Sequence, residues 1–201
     1  QVAILSNQLQ NLALGHGSVP LLVAIDHEGD GPPYTRITGG VTSLPSPMAI
    51  GATWDAENAQ AIGEIVGQEL AAMGINLLLG PSVDVLNDPR PTGRGDIGVR
   101  AFGGDPFWVG IMSRAYIGGV HRGSGGRVAT VAKHFPGHGA ASGDSHDGKT
   151  VLNAEPELIA RRELLPFEEA VKINIGGIML GHITVPGLDA EETPATLSKA
   201  V

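Results

Sequence analysis

The sequence predicts an α/β fold with a parallel sheet, on two observations. Short apolar, β-branched or Leu-rich runs recur at residues 21–25, 75–79, 128–132 and 177–180, about 50 residues apart. Between them lie stretches of helical periodicity at 57–73, 106–121 and 156–172, each opening near Asp or Pro and closing near Gly or a basic residue. Strands that are apolar throughout, alternating with amphipathic helices, imply a parallel sheet covered on both faces.

Taken in order, residues 2–14 are helix-like and precede the first run. Each apolar run is then followed by a polar, Gly- and Pro-rich segment, at 26–31, 81–88, 133–146 and 182–187. Loops at the C-terminal ends of strands build the active sites of α/β barrels, and charged side chains directly after four different strands favour that arrangement over ordinary surface loops. An open doubly wound sheet is the alternative, but no G-x-G-x-x-G follows a strand. The predicted architecture is therefore of the (β/α)8 TIM-barrel type. Four strands in 201 residues describe only about the central half to two-thirds of such a barrel, which typically needs about 250 residues. The expectation is a single partial barrel domain over residues 1–201, with parallel edges left for a partner segment or chain to complete. The chain opens at Gln1 rather than Met, which fits processing or truncation.

Composition narrows the function classes. With 42% hydrophobic and 17% charged residues, the chain can build one globular domain with a sizeable core. A formal net charge of -8 and a pI near 5.3 argue against nucleic acid, because binding by counterion release needs a basic face. The absence of cysteine excludes disulfides, thiolate catalysis and cysteinyl zinc sites, and leaves the compartment open. No apolar run approaches the roughly 20 residues that span a bilayer, and the first residues lack the layout of a signal peptide, so no membrane partner is expected.

The most informative stretch is Lys133-His134-Phe135-Pro136-Gly137-His138-Gly139, followed by Asp144-Ser145-His146. Asp144 and His146 stand two residues apart in a Gly-flanked loop, close enough for the carboxylate to hold one ring nitrogen and leave the other facing a substrate. A histidine so held can give a proton to a leaving oxygen and later take one from water. The bland alternative is a local turn contact. His134, His138, His146 and Asp144 could also be read as metal ligands, but no H-E-x-x-H helix accompanies them and neither a metal nor another cofactor is expected.

This stretch resembles the K-H-F-P-G-H-G and D-S-H motifs of glycoside hydrolase family 3, in its bacterial β-N-acetylglucosaminidase branch. The resemblance implies that Asp144 and His146 form the acid/base dyad and that Lys133 and His134 bind sugar hydroxyls. A snorkelling lysine and a buried, satisfied histidine are the plain alternatives for the latter pair. Leu21 to Gly29 resembles the family's strand ending in D-x-E-G, which makes Asp26 a hydroxyl acceptor and Glu28 structural. The following Asp30-Gly31-Pro32-Pro33 departs from the usual short connection to Arg36. Asp84, in Pro81-Ser82-Val83-Asp84-Val85, is expected to order neighbouring loops. Gly98-Val99-Arg100-Ala101-Phe102-Gly103-Gly104-Asp105-Pro106 resembles the G-x-R-S-F-G-x-D-P element, making Arg100 a substrate-binding candidate, while Asp105-Pro106 reads as a helix cap. His138 is expected to fix the Gly-Pro loop through its ring nitrogens, Arg90 and Arg94 to be solvated, and His182 either to line the pocket or to buttress the acid/base loop.

The resemblance runs from about residue 21 to about residue 197 and takes in Pro194-Ala195-Thr196-Leu197-Ser198. It implies hydrolysis of terminal β-N-acetylglucosamine from glycosides, with peptidoglycan fragments or chitin oligomers as the carbohydrate partner. The nucleophilic aspartate is expected on a later strand, beyond the last residue, so that the chain alone should turn over little. The alternatives are a β-N-acetylglucosaminide phosphorylase, a non-catalytic sugar-binding protein and a β-glucosidase.

Overall fold

The computed structural model describes residues 1–32, 34–87 and 97–201. Pro33, Arg90, Arg94 and the end of the predicted loop at 81–88 lie outside the described residues. Four strands form one parallel sheet: β1 (Ala24–Ile25), β2 (Leu77–Leu78), β3 (Ala129–Phe135) and β5 (Gly177–Leu180), in the order β1-β2-β3-β5. The register runs Ala24 to Leu77, Leu77 to Ala129 and Val131 to Gly177. Each strand is laid beside its predecessor with no reversal of direction around the sheet, which is the wall of a (β/α) barrel and not a doubly wound sheet.

The helices fall where periodicity places them: α1 (Val2–Gly15), α3 (Ala56–Ala72) and α4 (Pro106–Gly123), with a short α2 (Pro47–Gly51) that the sequence reading did not resolve. Asp105 caps α4 by accepting a hydrogen bond from the Trp108 N–H at 2.8 Å, with Pro106 in the first turn. Gly63 and Gly67 of α3 face Gly119 and Gly123 of α4. A β-carbon at any of the four would be driven into a backbone oxygen of the opposite helix, so the two helices touch backbone to backbone. Ala59, Val66, Leu70, Met112, Tyr116 and Val120 complete this buried seam, with Leu78 of β2 and Ile75 just before that strand packed into the same core.

Three expectations are corrected. The helix predicted at 156–172 is broken into α5 (Pro156–Leu158), a π-helical turn (Ile159–Glu163) and α6 (Leu165–Lys172). Pro166 has no N–H to return to residue 162, so a continuous α-helical ladder cannot run through it. The chain widens instead, and the Leu164 N–H reaches the Ile159 carbonyl at 3.0 Å. The first predicted strand shrinks to two residues because the Asn76 side chain replaces the ladder, accepting from the Val23 N–H at 2.7 Å and donating to the Leu21 carbonyl at 2.9 Å. The sheet is also not covered on both faces. Ile178 and Leu180 of β5 are each 41% exposed, although they pair with Ala132 and Phe135 on the face packed against Ile117 of α4 and Phe167 of α6, because β5 is the edge strand of the sheet.

A second parallel pair, β4 (Thr150–Val151) with β6 (Ile183–Thr184), was not foreseen. It ties the end of the long loop after β3 to the segment directly after His182, over a core of Ala141, Leu152, Ile159, Ile183 and Val185.

Candidate active site

A cavity of about 400 Å³ opens at the C-terminal ends of the four sheet strands. Asp26, Glu28, Arg100, Lys133, His134, His146 and His182 all line it. Asp144 is not among the lining residues and reaches the cavity only through His146.

The floor is a chain of alternating charge. Lys133, on β3 and 3% exposed at its side chain, places Nζ 2.9 Å from Asp26 Oδ1 and 2.7 Å from Glu28 Oε1. Glu28 in turn accepts a forked pair from Arg100, Nε to Oε2 at 2.7 Å and Nη2 to Oε1 at 3.1 Å. Burial pushes the Glu28 carboxyl up, but the Arg100 and Lys133 cations outweigh it and hold Glu28 below the ordinary carboxylate range. Arg100 also lies over the Tyr34 ring, 5.4 Å from its centroid. Two cations balance two carboxylates, so the floor is close to neutral. The Asp26 side chain remains 37% exposed with Oδ2 not engaged by Lys133, leaving an acceptor for hydroxyl donors.

The wall is built on Asp84, which is fully buried. Its Oδ1 accepts the His138 N–H at 2.7 Å and the His134 N–H at 3.2 Å, and its Oδ2 takes the His134 ring at Nδ1 (2.8 Å) and the Ser82 hydroxyl (2.8 Å). Burial raises the Asp84 carboxyl, yet its bonds to His134 and His138 prevail and hold it low. One carboxylate thus fixes the turn after β3 and fixes the His134 ring by Nδ1, so that Nε2 is the nitrogen left for the pocket.

The loop between β3 and β4 brings His146 to the rim with its side chain 76% exposed. Asp144 Oδ1 accepts both the His146 N–H at 2.9 Å and the ring Nδ1 at 2.8 Å. This two-point hold outweighs the effect of partial burial and keeps the Asp144 carboxyl below its usual range. The expected role of His138 is revised: its backbone N–H, bonded to Asp84, fixes the Gly-Pro turn, while its ring Nε2 stands 3.2 Å from Ser145 Oγ, between Asp144 and His146. His182 lines the cavity, and its Nδ1 is 3.1 Å from Thr196 Oγ1. Among the described residues, no group of three or more His, Asp or Glu is placed to hold a metal ion, and no helix is long and apolar enough to cross a membrane.

Sequence reasoning missed Tyr34, which lines the cavity under Arg100, and Glu163, which lies beneath the turn after β3. A signal for Glu163 existed: with Ile159 and Phe167 it falls at four-residue spacing on what is otherwise an apolar helix face.

Comparison with known proteins shows the family of the chain. Residues 1–201 match the family described as "Glycosyl hydrolase family 3 N terminal domain". The chain is 36% identical over 199 residues to the beta-hexosaminidase LpqI of Mycobacterium tuberculosis, covering 99% of this chain and 49% of that protein. It is 32% identical over 210 residues to a beta-hexosaminidase of Chromobacterium violaceum, covering 99% and 53%. Its fold matches the structure of a glycoside hydrolase family 3 beta-N-acetylglucosaminidase from Paenibacillus sp. str. FPU-7 with a TM-score of 0.92 and 40% identity, over 100% of this chain and 36% of that one. The chain therefore spans about half the length of the curated relatives it matches.

Proposed function

The chain belongs to the glycosyl hydrolase family 3 N-terminal domain family, and from that premise we propose that the protein carrying it removes terminal non-reducing β-N-acetylglucosamine from glycosides, with peptidoglycan fragments or chitin oligomers as the substrate class. Residues 1–201 act as one barrel-type domain whose sheet edges at β1 and β5 pair with further strands.

The observation that carries the reading is the hold of Asp144 on His146. One oxygen takes both the backbone N–H and the ring Nδ1, which fixes the tautomer with Nδ1 protonated and turns Nε2 toward the cavity. In a retaining mechanism an aspartate attacks the anomeric carbon while His146 protonates the leaving oxygen. Water then releases the sugar, with His146 as base. We place that nucleophile, as the family resemblance does, on an aspartate that follows residue 201. Asp84 is consumed by four hydrogen bonds and Asp189 is held by Ser198 at 2.6 Å, so neither competes for the role. Asp26, Lys133, His134, Arg100 and His182 bind the sugar, with Asp26 and the His134 Nε2 supplying the exposed polar atoms.

The test is release of phenol from an aryl β-N-acetylglucosaminide by the full-length protein, with the aryl β-glucoside and His146→Ala alongside. The expected result is turnover of the acetamido sugar only, reduced about 10²- to 10⁴-fold in the variant. Sugar phosphate formed in phosphate buffer, or binding of N-acetylglucosamine without turnover, would replace hydrolysis by phosphorolysis or by sugar binding.

A further inference from the structure

Glu163 is 2% exposed and sits at the end of the π-helical turn. Its carboxyl lies against the backbone of Gly137, in the turn that carries His134 and His138: a β-carbon at Gly137 would stand 2.5 Å from Glu163 Oε2 and 2.7 Å from Glu163 Cβ. Gly137 has φ +131°, so both the conformation and the contact require glycine there. Oε1 pairs with the Arg162 guanidinium, which also donates to the Val85 carbonyl at 3.3 Å. Oε2 has no hydrogen-bond partner among the described residues.

The charges facing Glu163 are Arg162 from its own turn, Asp84 from the segment after β2 and, behind Asp84, His134 and His138 from the turn after β3. A buried carboxylate oxygen without a donor is costly, and a second carboxylate beside it makes it more so. Burial and the Asp84 charge accordingly outweigh Arg162 and push the Glu163 carboxyl up to about 7. No step of the proposed hydrolysis uses this group.

We propose that Glu163 is a positioning residue for the sugar pocket: as the neutral acid it braces the 134–138 turn from beneath, and its ionisation sets a second buried negative charge against Asp84 and loosens the hold of Asp84 on His134 and His138. The inference rests on the proposed sugar site, since it reads Glu163 through His134. Its consequence is a loss of sugar affinity on the alkaline side that does not involve the acid/base histidine.

The experiment uses the full-length protein. The Kd for N-acetylglucosamine is measured by calorimetry from pH 5.5 to 8.5 for the parent and for Glu163→Gln, which keeps the shape and cannot ionise. In parallel, ¹³C NMR of uniformly labelled parent protein follows the Glu163 carboxyl, assigned through its connectivity to the backbone. Expected are a carboxyl titrating near neutrality, a parent affinity that weakens roughly tenfold between pH 6 and pH 8, and a variant affinity that changes less than about twofold. A Glu163 resonance ionised throughout this range overturns the proposal even if the variant fails to fold. So does an equal pH dependence in both proteins. Absence of N-acetylglucosamine binding at any pH, together with a titrating Glu163, sinks the sugar-site reading instead.

Discussion

Replacing Asp84 by Asn tests the central support of the pocket. The asparagine carbonyl can keep the two backbone N–H donors of His134 and His138 that Oδ1 now accepts, but as neutral bonds. The Oδ2 side becomes an NH₂ facing His134 Nδ1 and the Ser82 hydroxyl, both at 2.8 Å. Ser82 can reverse its hydroxyl, whereas the imidazole must change tautomer or turn away. Losing one charge-assisted bond and weakening two others costs about 3 kcal/mol at this fully buried site. With a urea m-value of about 2 kcal/mol/M, the unfolding midpoint falls by about 1.5 M. The sign with pH follows from the depressed Asp84 carboxyl: its contribution is complete above the unfolded value of 3.8 and is lost as pH falls through the lower folded value. The difference between parent and variant should therefore shrink in acid, and it should also narrow as pH rises through neutrality, because the raised Glu163 carboxyl costs the parent stability there that the variant, relieved of the Asp84 charge, in part keeps. Removing the Asp84 charge should also lower the midpoint of the Glu163 titration. A midpoint shift below about 0.3 M at pH 7 would falsify the assignment of Asp84 as the support of the turn.

Two further outcomes are expected. Asp144→Asn should lower kcat by about 10²-fold with KM nearly unchanged, because the exposed loop keeps its place while the His146 ring loses its fixed tautomer; an equal rise in KM would show that Asp144 acts on sugar binding. Gly119→Ala should destabilise the fold by about 2 kcal/mol or more, read as a fall in Tm, by forcing α4 away from the Gln60 carbonyl of α3; an unchanged Tm would mean that the two helices do not touch there.

Much of this protein was legible because it is encoded locally. The apolar runs and helical periods report which stretches prefer strand or helix, and they located the sheet and the α3 and α4 boundaries within a few residues. The Asp144 to His146 pairing was legible for the same reason: two residues of separation leave little room for any other geometry. Asp105 before Pro106 announced its cap.

The tertiary structure decided what depends on contacts between distant segments. Glu28 meets Arg100 across 72 positions and Asp26 meets Lys133 across 107, and only the order β1-β2-β3 brings these side chains to one cavity. The break before α6 could be suspected from Pro166, but the π-helical turn that carries Arg162 and Glu163 beneath the neighbouring loop could not. The sequence by itself determined the four strand positions of the main sheet, helices α1, α3 and α4, and the His-Asp pair, since backbone preference and short-range bonding act within a few residues. The shared floor of the pocket and the burial of Glu163 against Gly137, within the field of Asp84, were decided only by folding, because burial and long-range Coulomb interactions exist only once the strands stand side by side.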